Sequence, residues 1–330
     1  EVLDAAFRYE QALAMTDDGQ GSAFVAVGQK RGGSQFGAIP ATMETLPIAD
    51  GNLDFQGAWV VNGPGDRSVN FAASVAVSGG GTIPTSVASA PRRPGVTFAF
   101  SDGTQQDIDP LEATSTRPYG LAIDGDRAAV GNGGGVTILE RVEGSNEFSV
   151  TMTLDPPEGS EGFGRSLALE GDLLLVGAPS TSTNDQSKAG RAYLFDLAAS
   201  EDPLFELEAP DPLRNERLGW SVAMEGHSAV VAAPGGDGVF EIGQTDGRVL
   251  LFDNATGNLL STCEASTPSD EDYFGYSVAI YGDTLLVGAP DRDGSGAAFV
   301  FDVPEPSSSL GLFSALAVIG GLRRWFRRRD

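Results

Sequence analysis

The sequence predicts an all-β chain: a β-propeller of about six four-stranded blades, then one short C-terminal transmembrane helix. Three observations predict it. A phrase recurs along the body at near-constant spacing, hydrophobic residues alternate with period two inside each copy, and the last residues form an apolar run ending in arginines. The 44 glycines in 330 residues suit a chain of many tight turns.

The repeat is plainest in three copies: "FGRSLALEGDLLLVGAP" (163–179), "LGWSVAMEGHSAVVAAP" (218–234) and "FGYSVAIYGDTLLVGAP" (274–290). Each is followed by a variable loop and then "GRAYLFD" (190–196), "GRVLLFD" (247–253) or "GAAFVFD" (296–302). Fainter copies start near residues 119, 71 and 9. Aligning Leu13, Val75, Leu121, Leu167, Val222 and Val278 gives spacings of 62, 46, 46, 55 and 56 residues. The longest interval is too short for two units and reads as one blade with an insertion that includes residues 53–63.

Each unit reads as four strands. "SLAL" and "SVAI" alternate with period two, the signature of a half-buried strand. "EGDL" and "YGDT" put Gly at a two-residue hairpin, where positive φ is needed. "LLLVGAP" is a continuous apolar run, as in a strand covered on both faces, and its proline ends ladder pairing. "AYLFD" and "AFVFD" supply third strands. Residues 148–156, 203–210 and 258–266 supply fourth strands. These boundaries divide the body into repeats 119–162, 163–217, 218–273 and 274–302, with fainter ones at 9–70 and 71–118. The last unit stops at Asp302 one strand short, and "VLDAAF" (2–7) could close it. Residues preceding Glu1 would allow a seventh blade.

The Phe-Gly, Gly-Asp, Gly-Ala-Pro and aromatic-Phe-Asp elements resemble the FG-GAP repeat family, in the variant common in bacterial secreted proteins. The same repeat builds the propeller head of integrin alpha subunits. The resemblance implies a propeller acting as an adhesion or binding module through its inter-strand loops. Integrin-type loops of this family bind Ca2+ through four spaced carboxylates, since the ion takes six to eight hard oxygens. Here "DRDGSG" offers only Asp291 and Asp293, and Asn184-Asp185 and Asp237 offer less. Asp291 and Asp293 are thus the only Ca2+ candidates, for a partly hydrated ion, and no cofactor is otherwise expected.

Several chemistries are excluded or unsupported. The net charge is −25, and the tail from Arg323 to Asp330 contributes +4, leaving −29 on the body. Such a body repels nucleic acid. One cysteine, Cys263, allows no internal disulfide, and one histidine, His227, falls on a predicted hairpin turn. A multi-histidine metal site and a Ser-His-Asp triad away from that turn are therefore ruled out. The glycine runs at 78–82 and 131–136 lack the Lys-Ser/Thr of a phosphate loop. Glu206 and Glu208 share a strand face, but nothing marks them as a glycosidase pair. Phe163, Phe274 and Tyr276 read as inter-blade packing, whereas Trp59 and Trp220 are candidates for exposed binding residues. The expectation is a protein that is not an enzyme. The alternatives are a polysaccharide-directed enzyme using carboxylates of the propeller face, or a structural surface protein without a specific ligand.

The tail, 303–330, has three parts in order: Val303, Pro304, Glu305 and Pro306; an apolar core from Leu310 to Leu322; and Arg323, Arg324, Arg327, Arg328 and Arg329. The core would span about 20 Å as a helix, and residues 307–326 about 30 Å, enough to cross a bilayer. The arginines would stay cytoplasmic and leave the body outside. This order resembles the PEP-CTERM protein-sorting signal of Gram-negative bacteria. That resemblance implies export, recognition and cleavage near Pro304–Pro306 by an exosortase-type enzyme, and delivery to the cell surface or matrix. Exopolysaccharide or a surface protein would then be the partner, and the membrane a transient one. The chain begins at Glu1 without a methionine or an apolar leader, so a signal peptide is neither confirmed nor excluded.

Overall fold

A computed structural model describes residues 11–17, 23–29, 42–49, 52–53, 59–62, 74–78, 85–89, 96–100, 104–108, 119–132, 134–183, 185–235, 247–264, 272–290, 296–303 and 315–320. The chain divides into two compact units, Glu1–Asp155 and Pro156–Asp330. Each holds three antiparallel sheets among the described residues.

In the first unit, β1 (Gln11–Asp17), β2 (Ala23–Gln29) and β3 (Thr42–Ala49) pair in order. Two short pieces, β4 (Asn52–Leu53) and β5 (Trp59–Asn62), share the outer edge of β3. The second sheet is β6 (Ser74–Ser78), β7 (Thr85–Ser89), β8 (Val96–Phe100) and β9 (Gln105–Ile108). The third is β10 (Gly120–Asp124), β11 (Arg127–Gly131), β12 (Val136–Arg141) and β13 (Phe148–Leu154). Val87, Phe98, Phe100, Val130, Leu139 and Phe148 join the second and third sheets in one core, with Phe98 and Phe148 stacked at 4.3 Å. Gln106 locks the same contact: its amide donates to the Phe148 carbonyl, and its carbonyl accepts from the Phe148 N–H.

The second unit repeats the pattern more regularly. Its first sheet is β14 (Ser166–Glu170), β15 (Leu173–Ala178), β16 (Arg191–Asp196) and β17 (Phe205–Leu207). Its second is β18 (Ser221–Glu225), β19 (Ser228–Ala233), β20 (Arg248–Asp253) and β21 (Leu259–Glu264). Its third is β22 (Ser277–Tyr281), β23 (Thr284–Ala289), β24 (Ala297–Asp302) and β25 (Ala315–Gly320). In both units the first strands of successive sheets lie against each other: β1, β6 and β10, then β14, β18 and β22. Four-stranded meanders joined through their first strands are blades of a β-propeller-like fold.

The predicted turns and strands explain this regularity. Gly125, Gly171, Gly226 and Gly282 hold φ of 54–59° at two-residue hairpins, the type II′ geometry that needs Gly first. β15 and β19 are almost wholly buried. β23 departs from that expectation: Leu285 and Val287 are buried while Leu286 is 42% exposed. Phe163 packs edge-on to Tyr193 and Phe195, and Phe274 to Phe299 and Phe301. The repeated Phe therefore seals its own sheet's third strand. Phe274 also joins the core shared with Val249 and Leu251 of the preceding sheet.

The tail differs from the sequence expectation. Ala315–Gly320, inside the span predicted as a transmembrane helix, is a strand antiparallel to β24. It takes the fourth place in that sheet, the place for which residues 2–7 were the candidate; those residues lie outside the described ones. An unfilled β24 would present a row of unpaired backbone groups, and "ALAVIG" is apolar and partly β-branched, so it fits a strand as well as a helix. Among the described residues no helix is long and apolar enough to cross a membrane.

Candidate functional site

The two ends of the second unit's sheets are built differently. At one, the turn end, the first-to-second strand connections are two-residue turns, and the third-to-fourth connections take eight, five and twelve residues in the three sheets. At the other, the loop end, lie the second-to-third loops of 7–14 residues and the linkers of 12–13 residues between sheets. Arg165, Lys188, Arg191, Arg214, Arg217 and Arg248 all lie at the loop end. The turn end carries Glu170, Asp172, Asp196, Asp253 and Asp283 and, among the described residues, no Lys or Arg. His227 is an exposed residue of a turn-end hairpin, as predicted.

Glycines without room for a side chain hold the loop end rigid. A Cβ on Gly219 would collide with the Arg191 carbonyl, and one on Gly247 with the Phe274 carbonyl. The N–H groups of Gly164, Gly219 and Gly275 donate to the carbonyls of Gly177, Ala232 and Gly288, capping each second strand in the same way. Between sheets, the Ser166 hydroxyl donates to the Gly219 carbonyl, and the Val278 N–H donates to the Ser221 hydroxyl.

Two repeat-equivalent arginines open the third strands. Arg191 pairs with Glu206 and Glu208 of its own sheet, where both carboxylates are accessible. Arg248 pairs instead with Glu216, only 1% exposed, and with Asp211, both on the linker between sheets. The second oxygen of Glu216 accepts from the Leu213 N–H. Burial pulls the Arg248 guanidinium down, but the two carboxylates outweigh it and leave its pKa raised. Glu206 and Glu208 are therefore arginine partners.

A third feature crosses all three sheets. Arg165, Trp220 and Tyr276 occupy the same position, directly after the repeat's Phe/Leu-Gly. The Arg165 guanidinium lies 4.4 Å from the Trp220 ring centre, and the Trp220 and Tyr276 rings lie 5.7 Å apart. Arg217 approaches the same indole at 5.6 Å. Tyr276 is 47% exposed, and Trp220 and Arg165 are partly exposed. The sequence assigned Tyr276, like Phe163 and Phe274, to inter-blade packing, and its ring does meet Trp220 of the preceding sheet, but it is exposed where those two rings are buried. Trp59 lies in β5, in the first unit.

Each of these positions closes a turn, with the N–H of 165, 220 or 276 donating to the carbonyl three residues earlier. The residue supplying that carbonyl is left-handed in all three copies: Gly162 at φ 75°, Arg217 at 64° and Tyr273 at 51°. Glycine adopts this freely; for a residue with a side chain it costs about 1 kcal/mol.

Cys263 is buried against Val249, and burial alone pushes its thiol up to about 12, so it is inert. Val303 is buried at the end of the last core. Asp237, Asp291, Asp293, Pro304, Glu305, Pro306, Leu310, Leu322, Arg323, Arg324, Arg327, Arg328 and Arg329 lie outside the described residues. In the loop containing Asp185, the backbones of Thr183 and Gln186 bond each other. Among the described residues, no three His, Cys, Asp or Glu side chains group as a metal site.

The FG-GAP repeat family matches residues 151–195 and 262–301. Each matched stretch runs from the fourth strand of one sheet, β13 or β21, through the third strand of the next, so repeat and sheet are offset by one strand. No curated protein matches the sequence. Two solved structures share the fold. One is a catalytically inactive variant of virginiamycin B lyase from Staphylococcus aureus with quinupristin, at TM-score 0.57 and 11% identity over 94% of this chain and 85% of that one. The other is selenomethionine-substituted virginiamycin B lyase from the same organism, at 0.55 and 11% over 93% and 84%. At that identity the likeness speaks to fold alone.

Proposed function

We propose that this chain is an exported, non-catalytic binding module: a six-bladed FG-GAP propeller that attaches to cell-surface or matrix material through the loop end of its blades. The observation that carries this reading is the contrast between the ends. Long, variable loops and partly exposed Arg and aromatic side chains sit on a glycine-locked scaffold at one end, and the other has two-residue hairpins and, among the described residues, no Lys or Arg. Binding residues typically ride on loops held by such a scaffold. The FG-GAP match supports the reading independently.

In this reading the tail is a PEP-CTERM-type transit label, processed by an exosortase-type enzyme. Within a bilayer, residues 307–326 would have to satisfy every backbone group internally, as a helix does. Ala315–Gly320 cannot do that while paired with β24, so anchored and docked tails are exclusive states. Expression in a PEP-CTERM-bearing host, fractionation and mass spectrometry of the mature C-terminus test both parts. A surface or matrix form ending near Pro304–Pro306 is expected. An exported form retaining Arg329, or a form kept in the cytoplasm, would contradict it.

A further inference from the structure

The turn before each repeat's Phe/Leu-Gly accepts glycine, and the first sheet of the second unit uses it, at Gly162. The next two sheets hold Arg217 and Tyr273 there instead, in the left-handed region that disfavours side chains. Backbone strain kept where glycine would relieve it marks side chains with a use. Arg217 stands three residues before Trp220, and Tyr273 three before Tyr276, so both flank the Arg165–Trp220–Tyr276 row. Arg217 reaches the indole itself.

We propose that Arg165, Arg217, Trp220, Tyr273 and Tyr276 form one contact strip for an acidic glycan chain. This rests on the binding-module reading and gives it a ligand class. The rings offer faces on which pyranose C–H faces stack. A guanidinium lying on an aromatic ring keeps in-plane N–H donors that suit a carboxylate. The two guanidiniums of the strip, Arg165 and Arg217, favour a carboxylate-bearing chain over a neutral one. The described Lys and Arg of the second unit all stand at the loop end, among carboxylates such as Glu161, Asp211, Glu216 and Asp272, and the turn end has none. Nucleic acid would also stack on aromatics, and a single-stranded oligonucleotide that bound in place of oligogalacturonate would overturn the assignment.

The test uses the full chain, with oligogalacturonate as the acidic probe, cellohexaose as the neutral one and a proline-rich peptide as the competing class. Calorimetry should show binding to oligogalacturonate only, weakened about tenfold or more in Trp220→Ala and in the exposed-site variant Tyr276→Ala. Arg217→Gly and Tyr273→Gly should weaken binding while raising Tm by about 2–4 °C, since they relieve strain. A purely packing role predicts the opposite, a lower Tm with binding unchanged. The proposal is overturned if both glycine variants lower Tm, if the variants bind as the parent does, or if cellohexaose or the peptide binds in place of oligogalacturonate. If oligogalacturonate fails while the protein still attaches to native matrix, the glycan assignment falls and the binding-module reading stands.

Discussion

Gly219 and Gly171 show how differently the two ends of one sheet system are made. Both have positive φ, 88° and 58°. At Gly171 nothing lies within 4 Å of the place a Cβ would take, so its glycine serves conformation alone. Around Gly219 the backbones of Gly177, Ala178 and Arg191 crowd in from the preceding sheet. The turn end is thus a set of hairpins with open surroundings, two of them joined by the Gly226 N–H donating to the Glu170 carboxylate. The loop end is a continuous weld between sheets, and the side chains proposed to bind are mounted on that weld.

The largest effect that separates the ends is therefore steric. Gly219→Ala or Gly247→Ala should cost at least about 3 kcal/mol or prevent folding, because backbone has to move. Gly171→Ala should cost about 1 kcal/mol, the conformational term alone. Chemical denaturation of the three variants checks this. Equal costs would mean that both ends are equally welded.

Electrostatics comes next. Glu216→Ala leaves the Arg248 guanidinium buried with only Asp211, so a loss of about 3–5 kcal/mol is expected. Glu206→Ala, at the equivalent arginine, removes a half-exposed partner while Glu208 remains, and should cost less than about 1 kcal/mol. The pair of urea midpoints tests whether Arg248, and not Arg191, ties the linker to its sheet.

The smallest effect concerns pH. Burial raises the Tyr193 hydroxyl above its ordinary 10.0, against the pull of nearby Arg191. A raised pKa favours the neutral form in the folded state. Its contribution is complete below pH 10 and is lost as pH rises through the folded value. Tyr193→Phe should leave neutral-pH stability nearly unchanged and shift alkaline unfolding to higher pH. An unchanged alkaline midpoint would assign that loss to other groups.

Much of the scaffold was legible in the sequence because its elements are local. Gly-Asp between alternating strands fixes a two-residue hairpin, and "LLLVGAP" fixes a buried second strand, with no need for distant information. The loop end was less legible. Glu216 and Arg248 are 32 residues apart and follow no periodicity. The Arg165–Trp220–Tyr276 row arises only when consecutive sheets stand side by side; its one signal was the shared position after the repeat glycine, visible once the copies are aligned. The tail was ambiguous for a physical reason. A short apolar run such as "ALAVIG" satisfies helix and strand alike, and the open edge of β24 decides it here.

If the loop end binds and the turn end does not, substitutions at the two ends must separate. The decisive measurement is attachment of purified protein to native matrix. It compares Trp220→Ala and Tyr276→Ala at the loop end with Asp172→Asn and His227→Ala at the turn end. The prediction is that the first pair loses attachment while still melting cooperatively as folded protein, and the second pair attaches like the parent. Loss confined to the turn-end pair, or attachment by all four at parental strength, would contradict it.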